Sequence, residues 1–251
     1  MESKELERQR CFLKDTIRKS IDFRNTDQNR GLPPPPIEKP CRPGSTFSDL
    51  PGPGEWRSIA STDLRIAIGN RRSHRVFRKQ PLSMDELAFL LWSTQGIRDK
   101  ADHGHAYRTV PSAGCRHAFE TYLAVFDVGG LAPGLYRYLP LSHRLVSCFS
   151  DTKLQARLVT ATLGQAFSGR SAVTFIWTAI PYRMEWRYGL AAHKVMALDA
   201  GHVCQNLYLA CEAIGAGTCA IAAYDQEGMD ELLGLDGQEE FTIYLAPVGK
   251  T

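Results

Sequence analysis

Two short stretches carry residue types suited to chemistry. Residues 71–75 read RRSHR and residues 111–114 read PSAG. Arginine presents a planar fork of donors that matches phosphate oxygens and stays charged at any working pH. In an extended segment, alternation points Arg71, Ser73 and Arg75 to one side and Arg72 to the other, a cradle suited to a phosphate monoester. An exposed charged loop is the other reading of the same pentapeptide. In PSAG, small side chains let a backbone approach a flat ligand, and Gly114 permits unusual φ/ψ; an ordinary turn before a strand has the same composition.

Other clusters carry less. GAGTCAIAAYD (215–225) lacks the lysine and spacing of a P-loop and the strand–GxGxxG–helix context of a dinucleotide fold. DHGH (102–105) has no second ligand cluster at matching spacing, which favours a solvated loop over a metal site. Asp199 and His202 lie three apart on a helical pattern, placed to bond each other or the backbone. Cys115 adjoins PSAG as a small side chain, and no Ser-His-Asp or Cys-His arrangement emerges.

The elements that must position these residues follow from periodicity. STDLRIAIGNR reads as a short helix, and Ser83 with Glu86 forms a capping box ahead of Leu87, Leu90 and Leu91. FETYLAVFDV (119–128) is strand-like, and GGLAPGLYRYLPLSHRLV alternates turns with two strands. Residues 154–167 read as an amphipathic helix and 171–180 as a strand buried on both faces. Residues 193–215 form the longest helical pattern, apolar around most of its axis and therefore central. A glycine-punctuated strand, the helix QEGMDELLGL and the strand FTIYLAPVG complete an α+β pattern. The four prolines 33–36 keep residues 1–58 apart as an extended arm, with Phe47, Leu50 and Trp56 as candidate anchors.

Composition sets outer limits. In 251 residues, 43% hydrophobic content suffices for a large core, and a net charge of +3 is too small to indicate nucleic-acid binding. No apolar run reaches a membrane-spanning length, no secretory h-region is present, and seven scattered cysteines suit a reducing, cytoplasmic setting.

Taken in order, the motifs form a set. RRSHR, then Phe77 and PLSMDELAFLLW, RTVPSAGCRHAFETYLAV, GLAPGLYRYLPLSHRL, RYG and LDAGHVCQNLYLACEAIGAGTCAI together resemble the nitroreductase superfamily of FMN-dependent flavoproteins, SagB-type dehydrogenase branch. The resemblance runs from Ile59 to Gly249 and implies a nitroreductase-like FMN-binding fold over residues 59–251. That fold is a mixed, mostly antiparallel sheet flanked by helices, with a long central dimer helix. It implies FMN held at its phosphate by Arg71, Arg72, Ser73 and Arg75, with Lys250 as a further phosphate candidate. Pro111, Ser112, Ala113 and Gly114 would reach the flavin from the partner subunit, and Ala220, Ile221, Ala222 and Ala223 would lie along the isoalloxazine edge near N5. A homodimer with flavin sites between subunits follows, and NAD(P)H is the implied donor.

The implied function is an FMN-dependent oxidoreductase passing hydride through N5, acting on a nitroaromatic, quinone or other conjugated small molecule. The alternatives are an azoline or peptide dehydrogenase of a ribosomal peptide-modification pathway, or a non-catalytic flavin-binding partner protein. Two departures bear on the choice. Ala222 and Ala223 replace glycines usual in the family, and Arg187-Tyr188 stands where azoline-oxidising members carry Lys-Tyr. Arginine does not readily give up its proton and is a poor general base, which leaves Tyr188 as the proton-transfer candidate and Arg187 beside it.

Overall fold

The strand-length apolar runs assemble into one sheet because each has two faces to bury. The computed structural model describes residues 2–100 and 104–251. Its main sheet comprises β1 (Phe47–Asp49), β4 (Phe119–Val125), β5 (Gly134–Leu139), β6 (Arg144–Phe149), β7 (Val173–Ala179), β8 (Ala216–Thr218) and β9 (Phe241–Lys250). The order is β1-β6-β5-β4-β7-β9-β8, and every named pair is antiparallel. Parallel pairing among the described residues is confined to isolated bridges, Ser73 with Thr218 and Leu82 with Val128. A separate ribbon joins β2 (Ile97–Lys100) to β3 (Ala106–Arg108).

Strand alternation divides the core in two. Leu123, Val125, Phe175 and Trp177 face α3 (Met84–Gln95) and the 22-residue α6 (Ala192–Ala213). Tyr122, Ala124 and Ile176 face α4 (Leu154–Ala161) and α7 (Gln226–Leu233). The expected α+β architecture, antiparallel sheet and central long helix are all present. So is the capping box: Ser83 Oγ accepts the Glu86 N–H at 3.2 Å and Glu86 Oε2 accepts the Ser83 N–H at 2.9 Å.

Local departures have local causes. The helix expected over 154–167 stops at Ala161, because Leu163 and Gly164 turn to φ +55° and +80°. The Thr162 hydroxyl bonds back to the Leu158 carbonyl at 2.9 Å and seals the end. The helix expected from residue 61 begins later, as α2 (Leu64–Asn70), with Asp63 rather than a hydroxyl residue as its cap. The strand expected over 215–225 covers only Ala216–Thr218; Ala220 gives its N–H to the Tyr208 hydroxyl, and the chain returns to β9 for a single bridge at Ile221.

The N-terminal arm, expected to be extended over residues 1–58, instead begins with α1 (Glu2–Leu13) and short 3-10 turns at Asp15–Ser20 and Phe23–Asn25, and later adds β1 to the sheet edge beside β6. Leu50 is buried and Trp56 packs edge-on against Phe89 and Trp92, while Phe47 stays exposed beneath the Arg144 guanidinium. Asp102 and His103 of DHGH lie outside the described residues.

Candidate active site

The RRSHR segment runs beside the edge strand β8. Ser73 bridges Thr218, and the His74 N–H donates to the Thr218 carbonyl at 2.9 Å. This approach requires glycine at 217, where a Cβ would stand 2.6 Å from the His74 ring. The Tyr208 hydroxyl, projecting from α6, joins Ser73 Oγ (2.9 Å) to the Ala220 N–H (2.9 Å). Arg71 lies over the Tyr208 ring at 5.3 Å and Arg75 over Phe167 at 5.9 Å, while Arg72 faces solvent. Ile221 is buried; Ala222 and Ala223 are exposed, and among the described residues their backbone N–H groups make no hydrogen bond. Arg71, Ser73 and Ala220 therefore converge on one tyrosine, a residue inside the quoted α6 motif that sequence reading did not single out.

The PSAG turn forms a second cluster. Ser112 Oγ accepts the His117 N–H at 3.0 Å, and Asp199 of α6 accepts the Ala113 N–H at 3.2 Å. Gly114 (φ +59°), Cys115 (+54°) and His117 (+47°) are all left-handed, an unusual concentration of strain. Gly114 abuts α5 (Tyr182–Tyr188): a Cβ there would lie 2.6 Å from Tyr188 Oη and 2.9 Å from Arg187 Nε. Three of the four PSAG residues are half-buried and Pro111 is exposed. The turn and the Arg187-Tyr188 pair, widely separated in sequence, thus meet.

Asp199 and Tyr208 set the relation between the clusters. They are nine residues apart on α6, so helical geometry puts them on opposite faces and about 13.5 Å apart along the axis. Within one chain the clusters do not line one pocket. Lys250 joins neither, because its buried ammonium pairs with Glu86 and donates to the Ile214 carbonyl at 2.6 Å. The amine expected to reach a phosphate instead pins α3 to the end of α6.

Behind the turn lies a buried charge network. Glu120 on β4 accepts from Arg137 on β5 (2.8 Å) and from Arg183 on α5 (2.5 Å). Burial pushes the Glu120 carboxyl up, and the two guanidiniums outweigh it and hold the group below its usual range. His117 is lowered as well, to about 3, by burial and by the nearby Arg108 charge, while its Nε2 sits 2.8 Å from the Ala106 carbonyl. Its ring is therefore neutral and donates that bond.

The Nitroreductase family model matches residues 68–250, most of the chain and both clusters. The chain belongs to the nitroreductase family. A Methanocaldococcus jannaschii protein that carries a nitroreductase name is 32% identical over 192 residues, covering 76% of this chain and 93% of its own. Trifolitoxin-processing protein TfxB of Rhizobium leguminosarum is 29% identical over 163 residues; the match takes in 62% of this chain and 44% of TfxB. Among solved structures, a nitroreductase-type protein of Ralstonia eutropha superposes with TM-score 0.68 at 25% identity, covering 88% of this chain and 94% of that one. The Escherichia coli microcin synthetase complex McbBCD, with truncated pro-MccB17 bound, shares the fold (TM-score 0.59, 20% identity, 85% and 78% coverage). As a nitroreductase-family chain, this one is an oxidoreductase. No helix among its described residues is long and apolar enough to cross a membrane.

Proposed function

We propose that this oxidoreductase binds FMN and works as a homodimer. Each site would combine the RRSHR–Tyr208–β8 edge of one protomer with the PSAG turn and α5 of its partner. The carrying observation is the division of the two clusters between opposite faces of α6, which a second copy can bring together. The exposed Leu64, Ile66 and Ile68 of α2 and Leu198 of α6 support an apolar interface, as does a groove of about 620 Å³ lined by Ile59, Leu64, Phe89, Trp92 and Ala210.

The donor set suits the cofactor. Arg71, Arg72, Arg75 and Ser73 match a phosphate dianion, and the free N–H groups of Ala222 and Ala223 suit the polar edge of a flat ring. FMN, when bound, supplies two-electron chemistry; the chain's part is orientation, electrostatics and proton delivery. Tyr188 is the hydroxyl placed to hold or give a proton, and Arg187 remains a cation throughout. We assign NAD(P)H as donor and a nitroaromatic, quinone or related conjugated molecule as acceptor. Likeness to TfxB and to the microcin synthetase fold supports a second reading, dehydrogenation of a ribosomal peptide, against which Arg187 weighs as a poor base.

The purified protein should show flavin absorption that bleaches when NADH or NADPH is added without oxygen. It should also run as a dimer by light scattering. Flavin bands that persist with either nucleotide but bleach with an azoline peptide would move the assignment to the second reading. Absence of flavin bands after reconstitution would reject both.

A further inference from the structure

The PSAG–α5 cluster gathers more guanidinium than carboxylate. Burial disfavours the charge of Arg116, and Arg187 and Arg183 both press it further down. Among the described residues the acids of this region are already engaged. Glu120 holds Arg137 and Arg183, and Glu185 lies 2.8 Å from His193. Asp27 accepts from Tyr182 at 3.0 Å and pairs with Arg30, and Asp199 accepts the Ala113 N–H. Among the described residues Arg187 forms no ion pair. Its Nη1 donates to the neutral Gln28 Oε1 at 3.3 Å, and its guanidinium sits 5.5 Å from the Tyr188 ring centre.

Gln28 is itself fixed. Its N–H donates to the Trp186 carbonyl at 2.9 Å, and Trp186 Nε1 donates to the Leu32 carbonyl at 3.1 Å. The arm thereby aims the guanidinium beside Gly114 and Tyr188 without neutralising it. An arginine so held is a directed fork for a planar anion, and an anion there relieves the mutual repulsion of Arg116, Arg183 and Arg187.

We propose that Arg187, oriented by Gln28, is an anion-recognition residue, and that the substrate carries a carboxylate or comparable negative group close to its reacting centre. The proposal rests on the reading of the PSAG–α5 cluster as the substrate side of the site. Arg187 would touch substrate directly, and Gln28 is a positioning residue acting through it.

The test compares benzoate with benzamide, isosteres differing in charge, by calorimetry on the protein with and without FMN. Steady-state kinetics then compare 4-nitrobenzoate with 4-nitrobenzamide on the loaded protein. Benzoate should bind roughly tenfold or more tightly, as for one charge-assisted hydrogen-bonded pair, and the preference should shrink at high salt. Arg187→Gln should abolish it in both assays. Gln28→Glu should abolish it too, because a carboxylate then occupies the guanidinium, and thermal melting should show that this variant remains folded. Equal binding of benzoate and benzamide to the wild type would overturn the proposal, as would a preference that survives Arg187→Gln. A protein that never takes up flavin fails the flavin reading separately, because the calorimetric comparison stands on the unloaded chain.

Discussion

Single residues at the PSAG turn carry consequences that can be weighed. Gly114 has φ +59° and faces Tyr188 Oη and Arg187 Nε across distances too short for a Cβ. Gly114→Ala should cost about 1–2 kcal/mol from the left-handed backbone alone and displace the Arg187-Tyr188 pair. The expected result is a lowered denaturation midpoint together with a steep loss of turnover. His117 gives a pH signature. Its folded-state pKa, about 3, lies below the usual value near 6.5, so the unfolded chain binds more protons between those limits. Stability from this residue is therefore complete above about pH 6.5 and drains away as pH falls toward 3. Urea titrations between pH 4 and 7 should show a shallower pH slope for His117→Gln than for wild type. At this scale the sequence was partly legible. RRSHR and PSAG announce themselves by composition, whereas Tyr208 and Gln28 acquire meaning only from partners 135 and 159 positions away.

At the scale of elements, patterns that involve near neighbours in sequence could be read directly. The Ser83–Glu86 box needs only a spacing of three, and β4 and β7, buried on both faces, need only a strand-length run rich in apolar, aromatic and β-branched residues. Boundaries set by contacts across the fold could not be read. α4 ends early through a left-handed Leu163, and β8 ends early because Tyr208 captures Ala220. Glu86 illustrates both kinds of information, since one carboxylate oxygen closes the capping box and the other meets Lys250. Ser83→Ala should lower stability by about 1 kcal/mol, the ordinary worth of a cap. Glu86→Gln should cost about 3 kcal/mol, because it strips a largely buried ammonium of its charge partner. Denaturant unfolding of both variants in one buffer checks the ranking.

At the scale of the whole molecule, the N-terminal residues divide into two kinds. From Lys4 to Ser20 every residue is exposed, whereas residues 37–40 run into the buried charge network. The Ile37 carbonyl accepts from Arg108 (2.8 Å), the Lys39 and Pro40 carbonyls accept from Arg137 (2.8 and 3.1 Å), and the Lys39 N–H donates to Glu120. Removal of residues 2–13 should shift the melting temperature little. Removal of residues 1–58 should prevent folding, because each acceptor taken from a buried guanidinium costs about 1.5–3 kcal/mol and the sum approaches the stability of an ordinary domain. Proline content suggests an extended arm, but partners far along the chain, Glu120, Arg108, Arg137 and Trp186 among them, explain where it binds. The sheet order adds a consequence in time. Among the described residues β8 has β9 as its only strand partner in the main sheet, and β9 is made of residues 241–250. During synthesis the RRSHR segment leaves the ribosome long before the edge it will rest on can exist. Its arginines wait in solvent until residue 250 has been added, so a ribosome stalled between α6 and β9 would display a chain with α6 in hand and no completed edge for RRSHR to rest on.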